Sequence, residues 1–242
     1  MNQKDLIFSS QIMVPGDFVF DDRVVNVFPD MINRSVPGYA LIIPMIGLLA
    51  RRYAQHGSRI YDLGCSLGAA TLAMSQAIKV QEVEFIAVDN SAEMIGGLND
   101  ILAQQGSCVP VKTLVEDIRS TVISDASVVV LNFTLQFVSP ADRLQLIQGI
   151  AGGLRSGGIL VLSEKLCFED ALEQERQTAW HHDFKRAQGY SELEIARKRD
   201  ALENILKPEN AGMHRARLIE AGFSEVYQWF QGFSFASFVA IK

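Results

Sequence analysis

The sequence has few cysteines and no long apolar run. Its three cysteines, Cys65, Cys108 and Cys167, are widely spaced and form no C-x-x-C pair, which argues against a disulfide framework and a zinc knuckle. The most apolar stretch, residues 39–50, contains Pro44 and is shorter than the roughly 20 residues that cross a bilayer. We therefore expect reduced thiols, no metal site, no membrane insertion and a cytoplasmic location.

The sequence also lacks an excess of positive charge. It has 22 Lys and Arg against 28 Asp and Glu, a formal net charge of −6. Proteins that bind nucleic acid mainly through its phosphates usually present a basic face. We therefore expect a small-molecule substrate and no direct contact with nucleic acid. With 242 residues, 48% of them hydrophobic, the chain is long enough to form a single α/β domain over residues 1–242.

A glycine turn follows the first predicted strand, but one glycine of a familiar pattern is missing. Residues 61–71 read YDLGCSLGAAT, with Gly64 and Gly68 between a strand that ends at Asp62 and a helix that begins near residue 68. A dinucleotide fingerprint has a central glycine where Ser66 stands, and no Gly-Lys-Ser/Thr follows. The turn therefore predicts a nucleoside site and disfavours pyrophosphate and triphosphate binding.

Strand and helix patterns alternate after this turn. The predicted strands are 59–62, 84–88, 111–115, 127–131, 159–163, 225–229 and 233–241, with turns at 155–158 and near Gly232. Nearly continuous apolar strands separated by helices predict a doubly wound, mostly parallel sheet that is covered on both faces. The last two strands predict an antiparallel hairpin at the sheet edge. The predicted fold class is thus α/β with a seven-stranded sheet.

Two helical regions lie outside this alternation. Residues 1–57 contain helix-like pieces at 22–32 and 37–55, and we predict that this region forms a lid over the glycine turn. Residues 169–206 form a second, highly charged region, which we predict to be a helical insertion. Both regions are expected to belong to the single domain.

Polar residues follow four of the predicted parallel strands. They include Asp62, Asp89, Asn90, Asp117 with the adjacent Ile118, and Asn132. Ligands of a doubly wound sheet bind beyond the carboxyl ends of its strands. A carboxylate after the second strand can accept both ribose hydroxyls, and Asp117 and the backbone of Ile118 can contact adenine. Each residue alone is also a common turn former, but the four positions together predict a nucleoside pocket.

The absence of a phosphate cradle favours an adenosine ligand that carries no phosphates, such as S-adenosylmethionine. The acidic-x-Gly-x-x-x-Gly order, the two later aspartates and the terminal hairpin resemble the Rossmann-like class I S-adenosylmethionine-dependent methyltransferase fold from residue 59 onward. Longer phrases resemble the carboxy-S-adenosyl-L-methionine synthases over the whole chain. These phrases are residues 61–71, 88–91, 129–137, 162–165 and 181–195.

The family resemblance implies an activity. Carbon dioxide derived from prephenate would be transferred to the methyl group of S-adenosylmethionine, giving carboxy-S-adenosylmethionine and phenylpyruvate. A separate tRNA carboxymethyltransferase would use the product to modify a wobble uridine. The resemblance also implies a homodimer, with residues 169–206 as a place for exchange across the interface.

The same resemblance implies which residues contact the ligands. The cofactor contacts would be Tyr39, Gly64, Cys65, Ser66, Asp89, Asn90, Asp117, Ile118 and Asn132. Arg199 would meet the added carboxylate or prephenate, in its own or a neighbouring subunit, and its planar fork suits that role. Acidic and basic residues alternate around Arg199, so the residues alone favour a solvated helix face there. No side chain identifies itself as the catalytic base.

Other features have simpler explanations. His181 and His182 suggest a metal, but adjacent histidines on a helix point about 100° apart and do not easily share one ion. Cys65 suggests a nucleophile, but no positioned base is visible, so we expect a small residue beside the cofactor. Two functions stay open beside the synthase: an ordinary small-molecule methyltransferase, and a non-catalytic module that binds S-adenosylmethionine or S-adenosylhomocysteine.

Overall fold

The structure is a computed structural model, and it describes residue 5 and residues 22–105, 110–202 and 205–242. Cys108 lies outside these residues, as does the part of the predicted lid before Asp22, apart from Asp5. Residues 203 and 204 of the predicted insertion also lie outside them.

Strands and helices alternate through most of the described chain. The strands are β1 (Arg59–Leu63), β2 (Glu84–Asp89), β3 (Val111–Val115), β4 (Ala126–Asn132), β5 (Leu154–Lys165), β6 (Glu225–Gly232) and β7 (Phe235–Ile241). The α-helices are α1 (Asp22–Ser35), α2 (Tyr39–Tyr53), α3 (Ala69–Ala77), α4 (Ala92–Gln105), α5 (Pro140–Gly153), α6 (Ala171–Ala187), α7 (Glu192–Leu202) and α8 (Ala211–Glu220). A short 3₁₀ helix, Leu135–Phe137, follows β4.

The strands form one sheet in the order β3-β2-β1-β4-β5-β7-β6. Strands β1 to β5 are parallel, and β7 runs antiparallel between β5 and β6. The predicted α/β class, the seven strands and the terminal antiparallel hairpin are therefore confirmed. The strand order reverses between β1 and β4, which is where ligands bind in such sheets.

Helices bury both faces of the sheet, which explains the nearly continuous apolar strands. In β4, Val129 and Leu131 belong to a core cluster that includes residues of α5 and α8. Val128 and Val130 belong to a second cluster with residues of α2 and α3. Because successive side chains of a strand point to opposite faces, a strand that is covered on both sides needs apolar residues at every position. The sheet is thus doubly wound, as predicted.

The turn predicted at residues 155–158, before the fifth strand, is wrong. These residues lie within β5, which begins at Leu154. Leu154 pairs with Ala126 and Ile159 pairs with Val128, so the residues between them form a bulge within the strand. Gly157 has a φ of +73° there, a conformation that glycine adopts without steric cost. A bulge of this kind depends on the partner strand, and the local sequence shows only its glycines.

The turn of the terminal hairpin lies next to Gly232, as predicted, but β6 is longer than predicted. Strand β6 continues to Gly232, beyond the predicted end at Trp229, because a register shift between Gln228 and Phe230 lets the pairing with β7 continue. The turn is therefore at residues 233–234, after Gly232.

Helices α1 and α2 meet at a sharp bend. Gly38, just before α2, has a φ of +82°, and a Cβ atom there would lie 2.3 Å from the ring of Phe230. The bend therefore requires glycine. Across the residues that the structure describes, no single helix is long and apolar enough to span a membrane; only Val24–Ser35 and Tyr39–Tyr53 taken together reach that length and composition, and they are bent by 97°.

A buried ion pair joins α5 to the segment before α8. Arg143 is fully buried and donates to the Glu209 carboxylate at 2.5 Å, as well as to the backbone carbonyls of Val138 and Lys207. Glu209 also accepts a hydrogen bond from Arg217 at 2.6 Å. Removing one member of such a group leaves an opposite charge buried without its partner.

We predict that Glu209→Gln lowers the free energy of unfolding by about 3–5 kcal/mol, because Arg143 would keep a buried, uncompensated charge. The matched control is Glu84→Gln, which breaks the exposed 2.9 Å pair between Arg59 and Glu84 and should cost less than about 1 kcal/mol. Urea unfolding of both variants measures the difference. Equal losses in the two variants would contradict a stabilising role for the buried pair.

Candidate active site

One large cavity of about 840 Å³ lies at the carboxyl ends of β1 to β5, and residues of α1, α6 and α7 cover it. A cavity of this size suits a small-molecule ligand. It is lined by all ten residues predicted to contact the ligands, namely Tyr39, Gly64, Cys65, Ser66, Asp89, Asn90, Asp117, Ile118, Asn132 and Arg199. The structure therefore brings them together, whereas their individual contacts with a ligand stay predictions, as does closure of the predicted lid.

The glycine turn between β1 and α3 has a left-handed backbone at three alternate positions. Gly64, Ser66 and Gly68 have φ values of +76°, +50° and +76°. A Cβ atom on Gly64 would lie 2.3 Å from Thr134, and one on Gly68 would lie 2.3 Å from Leu98. Both glycines are thus required by conformation and by space. The turn leaves its backbone close to the cavity.

Cys65, in the middle of this turn, is buried and lines the cavity. Burial, together with the nearby carboxylates of Asp62 and Asp89, raises the pKa of the Cys65 thiol. The thiol is therefore protonated at neutral pH, and a thiol is a poor nucleophile. This agrees with the role expected from the sequence, a small residue beside the cofactor.

Asp62 anchors the glycine turn to α3. Its carboxylate accepts hydrogen bonds from the Thr71 backbone N–H at 2.9 Å and from the Thr71 hydroxyl at 2.6 Å. Burial raises the pKa of Asp62 to about 6 even though these bonds favour the charged form. The carboxylate lines the cavity, where a cationic ligand would favour its ionised form.

Asp89 closes the turn from the β2 side. One carboxylate oxygen accepts from the Ser66 backbone N–H at 2.8 Å, and the other accepts from the Ser91 backbone N–H at 3.0 Å. Each carboxylate oxygen can accept a second hydrogen bond, so the side chain retains capacity for ribose hydroxyls. Asn90, next to it, is exposed and lines the same cavity.

Asp117 was predicted to contact adenine, but its carboxylate already forms an ion pair with Arg119. Arg119 Nε lies 3.0 Å from both carboxylate oxygens, and Arg119 also bonds to Asp142. These hydrogen bonds lower the pKa of Asp117. The carboxylate therefore stays ionised, and an adenine amino group would have to share it with Arg119. Ile118 is buried beside it.

Asn132 provides a direct test of whether a nucleoside sulfonium fits this cavity. Its side-chain oxygen is buried and has no hydrogen-bond partner among the described residues. A buried acceptor without a donor is costly, and the methionine ammonium of S-adenosylmethionine would supply one. Tyr39 and Phe133 lie next to each other with ring centroids 6.4 Å apart, and both line the cavity. The residues present therefore fit the ligand.

Arg199, on α7, lies at an exposed edge of the cavity. Its side chain is 62% exposed and forms an ion pair with Asp200 at 3.1 Å. Arg199 therefore lies on a solvated helix face, as the residues alone indicated, and it also lines the cavity. An exposed pair of this kind contributes little to stability, so Arg199 is available to a carboxylate ligand.

The two histidines of α6 have different surroundings. His181 is buried, and its Nε2 donates to the backbone carbonyl of Ser35 at 2.8 Å, which joins α6 to the end of α1. Burial, followed by the charge of Lys185, lowers the pKa of His181 to about 3, so the ring is neutral. Within the described ranges, no three His, Cys, Asp or Glu side chains gather as metal ligands.

The sequence analysis missed three lysines that line the cavity, Lys165, Lys185 and Lys198. Lys165 ends β5 and Lys185 lies on α6. The strand-end rule that identified Asp62 and Asn132 applies equally to β5 and would have identified Lys165. Lys185 had no comparable signal, because it lies on a helix with many charged residues, where a solvated face is the usual interpretation.

Glu164, which precedes Lys165, was also missed and fixes one wall of the cavity. It is fully buried, and its two oxygens accept the backbone N–H groups of Leu135 and Gln136, each at 2.9 Å. Burial raises the pKa of Glu164 to about 8. Because both oxygens hold the 3₁₀ helix after β4, Glu164 positions the cavity wall.

We predict that His181→Gln destabilises the protein most at neutral pH. A glutamine amide can still donate to the Ser35 carbonyl, but it cannot titrate. Because the folded-state pKa of His181 lies below that of an unfolded histidine, the stability due to the neutral ring is complete above about pH 6.5 and is lost as the pH falls toward about 3. The difference in free energy of unfolding between the natural chain and the variant should fall by about 1.4 kcal/mol per pH unit between about pH 6 and pH 4. Urea unfolding measures this difference. A difference that does not change with pH would contradict this.

Comparison with known proteins agrees with the fold. A family model described as a methyltransferase domain matches residues 60–158. A crystal structure of a putative S-adenosyl-L-methionine-dependent methyltransferase from Methanococcus maripaludis superposes with a TM-score of 0.59 and 19% identity, covering 95% of this chain and 97% of that one. A likeness at this identity shows the fold, which is that of the S-adenosylmethionine-dependent methyltransferases.

Sequence comparison identifies the family. The chain is 57% identical over 239 residues to a carboxy-S-adenosyl-L-methionine synthase from Geobacter sp. strain M21, and the match covers 98% of both chains. It is 54% identical over 242 residues to a synthase of the same name from Vibrio cholerae, covering 100% of this chain and 98% of that one. The chain therefore belongs to the carboxy-S-adenosyl-L-methionine synthase family and is a transferase.

Proposed function

We propose that this protein converts S-adenosyl-L-methionine and prephenate into carboxy-S-adenosyl-L-methionine and phenylpyruvate. The observation that carries the proposal is a change of charge across one cavity. Carboxylates, including Asp62 and Asp89, line the ends of β1 to β3, where the lining arginine, Arg119, is paired with Asp117. Cationic residues, including Lys165 and Arg199, line the side formed by β5, α6 and α7. Such a cavity suits a cationic nucleoside beside an anionic donor.

The nucleoside would lie along the acidic side. Asp89 would accept the ribose hydroxyls, because both of its oxygens are already oriented by backbone N–H groups. Asp117 and Ile118 would contact adenine, and the Asn132 oxygen would accept from the methionine ammonium. This arrangement places the sulfonium methyl near the reversal of strand order, between β1 and β4.

The proposed reaction balances in atoms and charge without a base from the protein. The carbon–carbon bond between the prephenate ring and its ring carboxyl group breaks and releases carbon dioxide, and the ring loses hydroxide as it becomes aromatic. The methyl carbon of S-adenosylmethionine loses a proton and bonds to carbon dioxide, and that proton combines with the hydroxide to form water. We assign no side chain as the base. Residues of α1, α6 and α7 line the cavity, and exclusion of water by these helices would support this chemistry.

The wider role follows from the product. Carboxy-S-adenosylmethionine would serve a tRNA carboxymethyltransferase, which modifies a wobble uridine in the cytoplasm. The net charge of −6 supports a protein that makes this reagent and does not itself hold RNA. We also propose a homodimer, which is supported by an exposed apolar face on α2 formed by Leu41, Met45 and Leu48.

Two other functions make different demands on the cavity. An ordinary methyltransferase needs an acceptor pocket but no cationic site for a dicarboxylate. A non-catalytic module that binds S-adenosylmethionine or S-adenosylhomocysteine needs only the acidic side. The basic side of the cavity therefore favours the synthase.

We predict that purified protein incubated with S-adenosylmethionine forms a heavier nucleoside only when prephenate is added, with the extra mass of one carbon dioxide. Mass spectrometry of the nucleosides, with phenylpyruvate measured in parallel, is the readout. A methyltransferase would release S-adenosylhomocysteine when given its acceptor, and a binding module would return the cofactor unchanged. Protein that binds the cofactor but gives no heavier product with prephenate would refute the proposal.

We predict that Arg199→Ala weakens binding of carboxy-S-adenosylmethionine by about 1.5–3 kcal/mol, the usual loss for a hydrogen bond to a charged group, and weakens binding of S-adenosylmethionine much less. Calorimetric titration of both ligands measures the two losses. The control is Arg176→Ala, which changes an exposed arginine of α6 outside the cavity. Equal weakening of both ligands by Arg199→Ala would mean that Arg199 only supports the fold.

A further inference from the structure

Two lysines on the basic side of the cavity have no carboxylate partner in the described part of the chain. Lys165 is the last residue of β5, and Lys185 lies on α6 one turn after His181. Both line the cavity, and Lys185 is only 8% exposed. Their positions on different elements bring two positive charges to one wall.

Other buried cations of the described chain are paired. Arg143 bonds to Glu209, Arg34 lies 3.1 Å from Asp30, and Lys198 lies 3.8 Å from Asp5. Burying a cation without a partner is costly. Lys198 also lines the cavity but lies near Asp5, whereas Lys165 and Lys185 line it without an acidic partner in the described part of the chain. A ligand in the cavity could provide the missing negative charge.

The surroundings of the lysines explain why the anion must come from a ligand. Burial and then the charge of Lys165 lower the pKa of Lys185 to about 8, and burial lowers that of Lys165. Glu164, next to Lys165, is occupied by the backbone N–H groups of Leu135 and Gln136. Asp183, two residues before Lys185, is paired with Arg186. His181 is neutral and donates to a backbone carbonyl, so it adds no negative charge.

The order of the strand ends places this pair relative to the nucleoside. Across the sheet, the polar residues at the carboxyl ends are Asp117, which follows β3, and then Asp89, Asp62, Asn132 and Lys165, on β2, β1, β4 and β5 respectively. Along this edge of the sheet, the carboxylates therefore lie on one side of the Asn132 amide and Lys165 lies on the other. An anion bound at Lys165 and Lys185 would lie on the side of Asn132 opposite the ribose.

We propose that Lys165 and Lys185 form the subsite for the carboxylate that prephenate retains when it becomes phenylpyruvate. Arg199 would hold the carboxylate that is transferred, so each of the two carboxylates has its own cationic partner. This inference rests on the proposed function, because it assumes a dicarboxylate donor. The two lysines are binding residues and take no part in bond breaking.

The test is calorimetric titration of prephenate into protein saturated with S-adenosylhomocysteine, which has no methyl group to carboxylate. Lys165→Gln and Lys185→Met should each raise the Kd for prephenate about 10- to 100-fold, since each removes a charged hydrogen-bond partner. The affinity for S-adenosylhomocysteine should not change. Lys112→Gln, on the exposed part of β3 and outside the cavity, is the control and should bind prephenate normally.

Stability and kinetics separate binding from a structural role. Lys185→Met should be at least as thermally stable as the natural chain, because it removes an unpaired buried charge. Lys165→Arg should retain most of the affinity, and Lys165→Gln should raise the KM for prephenate while leaving that for S-adenosylmethionine unchanged.

An unchanged Kd for prephenate in both Lys165→Gln and Lys185→Met would overturn the subsite while leaving the proposed function intact. A natural protein that neither binds prephenate nor forms the heavier nucleoside would overturn both.

Discussion

The site depends on keeping charges of both signs in one cavity at the edge of a parallel sheet, where some of them, such as Asp62 and Lys185, are buried. Parallel strands all end at the same edge, so residues far apart in sequence, such as Asp62 and Lys165, line one space. Burial raises the pKa of Asp62 and lowers that of Lys185. Burial disfavours the charged form of each side chain, and a ligand of opposite charge would offset this cost on each side.

The rest of the structure holds these charges in place with hydrogen bonds to the backbone. Asp89 is oriented by the N–H groups of Ser66 and Ser91, and Glu164 is oriented by those of Leu135 and Gln136. These bonds join the glycine turn and the 3₁₀ helix to neighbouring strands. The cavity is thus preorganised on the side of the sheet, whereas its helical cover is joined through contacts such as that of His181 with the Ser35 carbonyl.

Much of the fold was predictable because it follows from local periodicity. Strands covered on both faces have a distinctive apolar pattern, and β3 was predicted with the bounds that it has in the structure. The β5 bulge and the length of β6 were not predictable, because both depend on how a partner strand pairs. The positions of Asp89 and Asn132 in the cavity were predictable from the rule that strands of such a sheet present their carboxyl ends to ligands.

The basic side was harder to predict for a physical reason. Lysines and arginines on a helix usually face solvent, and which face of α6 turns inward is decided by contacts with distant parts of the chain. The hydrogen bond between His181 and Ser35 spans 146 residues. Sequence reasoning could name Arg199 only through the family resemblance, and it interpreted the residues around Arg199 as a solvated face. The structure shows an exposed Arg199 and, deeper in the cavity, a buried Lys185.

The central claim is that one cavity joins a carboxyl group from an anionic donor to a cationic nucleoside. The most direct measurement uses prephenate with a carbon-13 label in its ring carboxyl group, incubated with S-adenosylmethionine and the protein. We predict that the label appears in the heavier nucleoside and is absent from phenylpyruvate. Release of the label as free carbon dioxide, with the nucleoside unlabelled, would contradict it.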